Sequence, residues 1–242
     1  MDRENKANIE NNCKETPLRK GLKTIKSFVL RQSNITPGQK RSFENLFPKY
    51  GLLLDSGLTS FNSVFGNTND VVLEIGFGMG DSLLTQAKEN NNLNYLGIEV
   101  HKPGVGTLLR SVDEQQVENI RVYNDDAIEV LESCIPDKSL SKVQLFFPDP
   151  WHKKRHNKRR IVQAKFVSLL LKKLKPSGKL HFATDWEDYA LHMLDVLNNE
   201  KSLKNVFAEN KFANNVDRPA TKFEERGKKL GHSIYDLMFE LV

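Results

Sequence analysis

Short apolar runs alternate with longer amphipathic stretches along most of this chain. The runs have the length of strands buried on both faces, and the stretches between them carry apolar residues at helical spacing. This alternation predicts an α/β fold with a mostly parallel, doubly wound sheet. We predict strands at residues 71–75, 94–100, 120–123, 143–147 and 179–183, and helices beginning near Asp81 and at 105–115, 127–131, 162–174 and 189–197. The last run, residues 233–242, is expected to close the sheet as an antiparallel strand.

The predicted strand at 143–147 ends abruptly in a Pro-Asp-Pro sequence. Pro148 and Pro150 lack a backbone N–H and fix φ, so the strand stops there and Asp149 is held in a stiff turn. Ligands of open α/β sheets bind outside the carboxyl ends of the strands. The position therefore predicts that Asp149 contacts a ligand.

A dense positive run follows this turn. Lysines and arginines at such close spacing repel one another unless a polyanion neutralises them, as a phosphate backbone does with release of counterions. The run contains Lys153, Lys154, Arg155, Lys158, Arg159 and Arg160, with Trp151, His152, His156 and Asn157 among them. A solvated basic loop is the alternative, but the position after Asp149 favours a nucleic-acid partner.

A glycine-rich turn follows the first predicted strand. Gly76, Gly78 and Gly80 form G-x-G-x-G, which lets the backbone approach a ligand closely. The dinucleotide fingerprint is G-x-G-x-x-G, and the carboxylate of Glu74 would repel a pyrophosphate. A cationic or zwitterionic cofactor such as S-adenosylmethionine fits this turn better.

Acidic residues also end the second and third predicted strands. Glu99 follows the glycines by about 20 residues, the distance at which an acid binds ribose hydroxyls in Rossmann-like sites. Asp125 and Asp126 follow the third strand. One of them is expected to cap the next helix, and the other is free to hold an adenine amino group.

Three segments are expected along the chain. Residues 1–20 contain almost no large apolar side chain, so we predict a flexible polar tail. Residues 21–65 form an extension that packs on the sheet or lines the substrate cleft, with Thr36 capping a helix that begins at Pro37. Residues 66–242 form the α/β domain.

Composition argues against several classes of protein. The formal net charge of +5 permits a nucleic-acid partner. Cys13 and Cys134 are too few for a disulfide framework, and no zinc-type Cys/His spacing occurs, so no metal site is expected. The amino terminus lacks an apolar signal core, and no run approaches the ~20 apolar residues that cross a bilayer. We expect a cytoplasmic protein without membrane association.

Three motifs resemble those of the bacterial single-chain tRNA (guanine-N7-)-methyltransferases. They are FFPDPWHKKRHNKRR at 146–160, ATDWE at 183–187 and RPATKFEERG at 218–227, and the resemblance covers residue 27 to the carboxyl terminus. It implies a Rossmann-like class I methyltransferase fold, S-adenosylmethionine as cofactor, and methyl transfer to N7 of a guanosine in the variable loop of tRNA. No obligate protein partner is expected.

The resemblance also implies roles for individual residues. Those that would hold S-adenosylmethionine are Glu74, Gly76, Gly78, Gly80, Glu99, Asp126 and Asp149. Asp149 would also be the catalytic residue beside the target base. The guanosine would contact Lys153, Asp185, Thr221, Lys222, Phe223 and Glu224. RNA would contact Arg155, His156, Asn157, Lys158, Arg159 and Arg160.

Residue patterns leave two structural alternatives and two functional ones. Asp185 could instead cap the helix that follows it, and Thr221 with Glu224 has the spacing of a capping box. A nucleotide-cofactor oxidoreductase would bind NAD, but the glycine spacing and Glu74 argue against it. A non-catalytic RNA-binding module would bind tRNA without methyl transfer, and the acidic residues argue against that.

Overall fold

The computed structural model describes residues 26–28, 35–208, 211–213, 216 and 218–242, so the predicted tail at 1–20 lies outside the described residues. The strands are β1 (Gly51–Leu52), β2 (Asp70–Ile75), β3 (Leu93–Ile98), β4 (Ile120–Tyr123), β5 (Leu140–Phe146), β6 (Leu174–Thr184), β7 (Leu203–Asn205) and β8 (Tyr235–Leu241). The helices are α1 (Pro37–Tyr50), α2 (Phe61–Phe65), α3 (Asp81–Glu89), α4 (Lys102–Glu114), α5 (Ala127–Ser133), α6 (Ala164–Lys173), α7 (Glu187–Asn198) and α8 (Lys222–Lys229). No helix within these ranges is long and apolar enough to cross a membrane.

One sheet joins the strands in the order β1-β4-β3-β2-β5-β6-β8-β7. Strands β1 to β6 run parallel to one another, whereas β8 runs antiparallel to both β6 and β7. The doubly wound sheet and its antiparallel carboxyl-terminal strand are thereby confirmed. From β2 the chain proceeds to β3 and β4 on one side and later returns to β5 on the other. The carboxyl ends of β2 and β5 therefore form the topological switch point, where open α/β sheets bind ligands.

The central strands are buried on both faces, as their apolar runs predict. In β2, Val71, Leu73 and Ile75 pack into one core cluster, and Val72 packs into the cluster on the opposite face. Helices cover both faces, and this burial holds the sheet in place. The strand ends are consequently fixed points from which functional side chains project.

Helix α1 packs on α4 and thereby joins the extension to the sheet domain. Thr36 caps α1 in a reciprocal capping box with Gln39, and Pro37 occupies the first turn, as predicted. The Gln39 side chain also donates to Thr107 Oγ1 of α4 at 3.0 Å. Apolar side chains on the same side of α1 complete the contact: Phe43, Leu46 and Phe47.

Some predicted boundaries are wrong. Helix α4 begins at Lys102 rather than at residue 105, because Pro103 fits the first turn, where no N–H is needed. Strand β6 begins at Leu174, before the Pro-Ser-Gly sequence that was expected to precede it. Part of the basic run, Lys154–Arg159, forms a 3-10 helix instead of an irregular loop.

Candidate active site

The carboxyl ends of β2, β3 and β5 open onto one cavity of 720 Å³. Its wall contains Gly76 and Gly78 after β2, Glu99 after β3, and Asp149 after β5. Asp125 and Asp126, which follow β4, also line it. The fold thus brings the glycine turn, the predicted ribose-binding acid and the Pro-Asp-Pro turn to a single site.

The glycine turn has a backbone that other residues rarely adopt. Gly76, Gly78 and Gly80 have φ values of 74°, 60° and 83°. A Cβ atom on Gly80 would lie 2.7 Å from the Leu108 side chain, so this position needs glycine for packing as well. A Cβ on Gly76 would meet no atom within 4 Å, and that space is open to a ligand.

Glu99 fastens the glycine turn to β3. Its Oε2 accepts from the Gly78 N–H and its Oε1 accepts from the His101 N–H, both at 2.8 Å. Burial raises the pKa of Glu99, although these two hydrogen bonds oppose the shift. Because a carboxylate offers about four acceptor positions, Glu99 can still accept hydrogen bonds from the hydroxyl groups of a ligand in the cavity.

Asp126, not Asp125, caps the helix that follows β4. Its side chain accepts from the Ile128 N–H at 3.0 Å, at the amino terminus of α5. Asp125 lines the cavity beside it, and burial, with nearby Asp55, raises the pKa of its carboxyl. The cap uses one acceptor position of the Asp126 carboxylate, so Asp125 and Asp126 both remain candidates for an adenine contact.

Glu74 is a buried acid directly beneath the glycine turn. The residue is 2% exposed, and no hydrogen-bond partner of its Oε2 is found within the described part of the chain. Burial raises its pKa from 4.5 to about 8, although the charge of Arg218 acts in the opposite direction. Without a bound cation, Glu74 therefore keeps its proton at neutral pH.

This protonation makes stability depend on pH. The unfolded chain releases the Glu74 proton near pH 4.5, whereas the folded chain holds it to about pH 8. Between these values the folded state binds more protons, so the free energy of unfolding falls as pH rises. We expect Glu74→Gln to reduce that fall by on the order of 1 kcal/mol per pH unit.

Urea unfolding of the cofactor-free protein, repeated between about pH 5 and pH 8, measures this slope. Glu132→Gln, which changes an exposed acid on α5, is the matched control and should retain the wild-type slope. Equal slopes for wild type and Glu74→Gln would show that Glu74 is ionised in the folded chain.

The Asp149 turn is conformationally strained at both ends. Phe147 and Trp151 have positive φ values of 53° and 48°, which are rare for residues other than glycine. The Phe147 N–H donates to the Ala183 carbonyl oxygen at 2.8 Å, and this bond ties the turn to β6. Asp149 itself is exposed and lines the cavity, so its carboxylate is available to a ligand.

The basic loop, residues 151–160, presents part of its charge to solvent. Two aromatic contacts shape it: the Arg159 guanidinium lies 3.9 Å from the centre of the Trp151 ring, and His152 packs on Trp186 with ring centres 4.2 Å apart. The exposed cations are Lys153, Lys154, Arg155 and Lys158, whereas His156, Asn157 and Arg159 are half-buried. These four cations form the surface on which a polyanion can lie.

Arg160 does not belong to that surface, and its contact with RNA stays a prediction. Its side chain is 2% exposed and forms an ion pair with Asp188. A guanidinium removed from solvent in this way cannot neutralise a phosphate without breaking its buried contacts.

The segment at 221–224 is held between the sheet and the glycine turn. Thr221 Oγ1 accepts from the Glu224 N–H at 3.1 Å and caps α8 as predicted. The reciprocal half of the predicted capping box is wrong, because the Glu224 carboxylate is buried and pairs with Arg218 and Lys228.

Lys222 and Phe223, between Thr221 and Glu224, lie beside the glycine turn. Phe223 is 58% exposed and lines the cavity, with its ring next to Gly78. The Lys222 ammonium pairs with Asp81 at the start of α3, 2.8 Å away. This predicted substrate segment therefore adjoins the predicted cofactor turn.

The two remaining predicted substrate residues have different surroundings. Asp185 is half-buried and its Oδ2 lies 3.1 Å from Nδ1 of His232. It does not cap α7, whose N-cap is Trp186, so the capping alternative is wrong. Lys153 is exposed at the start of the 3-10 helix in the basic loop.

Arg218 was not predicted to have a role, although it begins the third motif. Its side chain is 4% exposed and donates to both Asp236 oxygens, at 2.8 and 3.0 Å, and to Glu224. Its guanidinium also lies 5.1 Å from the centre of the Phe146 ring. Arg218 thereby joins α8 to β8 and to the end of β5. The one feature of the sequence that could have indicated a role for Arg218 is its position at the start of this motif, directly before Pro219.

Residues 26–28 lie at the cavity and contact the basic loop. The Trp151 indole donates to the Ser27 carbonyl oxygen at 3.1 Å, and the Arg159 side chain donates to that of Lys26 at 3.2 Å. Ser27 and Phe28 line the cavity. Ser27 and Phe28 thus line the cleft, whereas α1 packs on α4, and the division of the chain at residue 65 stays a prediction.

Comparison with known sequences adds to this geometry. Residues 68–237 match the model of a family described as "Putative methyltransferase". A protein of Pseudoalteromonas translucida named tRNA (guanine-N(7)-)-methyltransferase is 53% identical over 222 residues, which cover 91% of this chain and 92% of that protein. A protein of the same name from Salmonella typhimurium is 54% identical over 222 residues, with 91% and 93% covered.

Two solved structures that share the fold are named as methyltransferases. The 16S rRNA methyltransferase KamB superposes with a TM-score of 0.57 at 12% identity, covering 76% of this chain and 94% of that one. A 30S ribosomal A1408 methyltransferase from an uncultured bacterium gives 0.51 at 15% identity, covering 74% and 91%. At these identities the similarity shows the fold alone.

Proposed function

From the premise that this chain belongs to the family of tRNA (guanine-N(7)-)-methyltransferases, we propose that it methylates N7 of a guanosine in the variable loop of tRNA. Its cofactor is S-adenosylmethionine. The observation that carries the proposal is the meeting of the glycine turn and Asp149 at one cavity, with the exposed basic loop beginning two residues after Asp149. Membership in this family also argues against the alternative of a nucleotide-cofactor oxidoreductase. A tRNA substrate supports a cytoplasmic location for the protein.

The residues around the cavity fit S-adenosylmethionine. Gly76 leaves open space, Glu99 can accept ribose hydroxyls, and Asp125 and Asp126 line the wall where an adenine amino group would need an acceptor. Glu74 Oε2 has no hydrogen-bond partner among the residues that the structure describes. Once Glu74 loses its proton, this carboxylate supplies negative charge for a cationic cofactor. A pyrophosphate would be repelled by the carboxylates that line the cavity, Glu99, Asp125 and Asp126.

The bound cofactor supplies an electrophilic methyl group, so the protein needs to orient the guanine and stabilise charge. N7 of guanine is an acceptor with a lone pair in the plane of the base and needs no prior deprotonation. No strong general base is required. Most of the acceleration then comes from alignment of the reacting atoms, which Asp149 in its stiff turn can provide.

Asp149 also has an electrostatic role in this proposal. Positive charge develops on the purine as N7 gains a substituent, and a fixed carboxylate beside the base stabilises it. The guanine N1 and N2 donors are the groups through which Asp149 would hold the base. Phe147, Pro148 and Phe223 line the same cavity and offer apolar surface to a bound base.

We assign the guanosine contacts to Phe223, which lines the cavity, and to four residues outside its wall, namely Lys153, Asp185, Thr221 and Lys222. Glu224 holds this segment in place rather than contacting the guanosine, since its carboxylate is buried and pairs with Arg218 and Lys228. The exposed cations of the basic loop neutralise tRNA phosphates, and their charge sets the salt dependence of binding. The turn and the loop are continuous in the chain, so docking of the loop places a base near Asp149.

We expect wild-type protein to transfer labelled methyl from S-adenosylmethionine to an unmodified tRNA transcript. Cleavage chemistry specific for 7-methylguanosine should locate the label at one guanosine of the variable loop. A transcript with adenosine at that position is the matched control and should remain unlabelled. Label at another guanosine would contradict the variable-loop target, and tRNA binding without any transfer would indicate a non-catalytic binding module.

A further inference from the structure

The Arg160 side chain lies between the Asp149 turn and the first turn of α7. Its Nε donates to the Pro150 carbonyl oxygen at 2.9 Å, and its Nη2 donates to Oδ2 of Asp188. The guanidinium also lies 4.8 Å from the centre of the buried Tyr189 ring. These contacts fix both the position and the plane of the guanidinium, because its donors project in a rigid fork.

The Asp149 turn is thereby held at two points. On its amino-terminal side, the Phe147 N–H is bonded to Ala183 of β6. On its carboxyl-terminal side, the Pro150 carbonyl is bonded to Arg160. Asp149 projects between these two points into the cavity. Loss of the second one would free the carboxylate to move.

We propose that Arg160 is a positioning residue for methyl transfer: it holds the Asp149 turn against α7 and does not contact RNA. This inference rests on the proposed function, since it assumes that Asp149 acts on the guanine. A displacement of about 1 Å at a reacting group can cost about 100-fold in rate. The role is therefore visible in kcat rather than in tRNA affinity.

The variant Arg160→Lys distinguishes a role that needs only the positive charge from one that needs the shape of the guanidinium. A phosphate contact would tolerate Arg160→Lys, because the positive charge is retained. A positioning role would not, because one ammonium cannot reproduce a planar fork that binds Pro150 and Asp188 together. We expect Arg160→Lys to lower kcat at saturating tRNA by about 10- to 100-fold. The slope of log Kd against log salt for tRNA should stay at the wild-type value.

Three further variants complete the test. Arg160→Gln removes the charge itself and should leave the salt slope at the wild-type value, because the guanidinium is buried away from the exposed cations of the loop. Arg155→Gln removes an exposed cation of the same loop and should reduce the salt slope by about 0.9. Asp188→Asn keeps Arg160 and weakens one of its contacts, so it should lower kcat by about 3- to 10-fold without changing the slope. Because Asp188 is 69% exposed, this variant tests the role even if Arg160→Lys folds poorly. Unchanged affinity for S-adenosylmethionine identifies the variants that are folded.

Wild-type kcat in the folded Arg160→Lys or Asp188→Asn protein would overturn the positioning role. A salt slope reduced in Arg160→Gln as in Arg155→Gln would overturn it too, and would restore Arg160 as a phosphate contact. Failure of the wild-type protein to form 7-methylguanosine in the same assay would contradict the proposed function instead, so the two failures are distinguishable.

Discussion

Replacement of Asp149 by alanine is expected to reduce methyl transfer to tRNA by about 100- to 1,000-fold. The carboxylate is exposed at the cavity, in a turn held from both sides, and is thus placed to stabilise positive charge that develops on the guanine. The affinity for tRNA should change little, because it comes mainly from phosphate contacts, to which a carboxylate does not contribute. The loss therefore belongs in kcat at saturating tRNA and S-adenosylmethionine.

Asp149→Asn divides this effect into its two parts. The amide keeps the size of the side chain but lacks the charge, so we expect a loss of about 10-fold if part of the role is orientation. Initial rates of labelled methyl transfer measure both variants, with Glu132→Gln on the exposed side of α5 as the control that should match wild type. Retention of more than a third of wild-type kcat by Asp149→Ala would remove Asp149 from the mechanism.

Replacement of Arg218 by methionine is expected to destabilise the fold by about 3–5 kcal/mol. The change preserves apolar volume but leaves Asp236 and Glu224 buried without the cation that pairs with them. Burial alone would raise the pKa of Asp236, but hydrogen bonds from His181 and Arg218 lower it below 3.8. The pKa of Glu224 is lowered in the same way, by Lys228 and Arg218 acting against burial.

Urea unfolding at neutral pH measures this loss. The carboxyl pKa values are lower in the folded chain, so the stabilisation is present at neutral pH and is lost as pH falls below about 4. Arg110→Met is the matched control: Arg110 is 55% exposed and pairs with Glu114 on α4, so its loss should cost about 0.5 kcal/mol or less. A loss below about 1 kcal/mol in Arg218→Met would show that the buried carboxyls take up protons instead.

The sheet and the position of the site follow from local sequence patterns. Buried strands such as β2 are apolar on both faces, and a glycine turn or a Pro-Asp-Pro sequence marks where a strand ends. Because parallel strands end on one edge, Glu99 and Asp149 could be placed together before any contact was known. Short edge strands such as β1 carry too few residues to show a pattern.

The pairing of charged side chains could not be predicted in the same way. Arg160 and Arg155 stand in one basic run, and their sequence context gives no sign that one is buried against Asp188 while the other faces solvent. Glu224 is likewise four residues from Lys228 and has helix-capping spacing, yet its burial depends on Arg218 from outside the helix. Such pairings are set by tertiary contacts between distant elements.

Both tryptophans of this chain, Trp151 and Trp186, lie at the basic loop, one stacked on Arg159 and the other packed against His152. Intrinsic tryptophan fluorescence is therefore a built-in optical reporter of this region. Stopped-flow mixing with tRNA can follow the arrival of RNA at the loop in real time, in unlabelled and unmodified protein, and separate it from the slower chemistry of the methyl group.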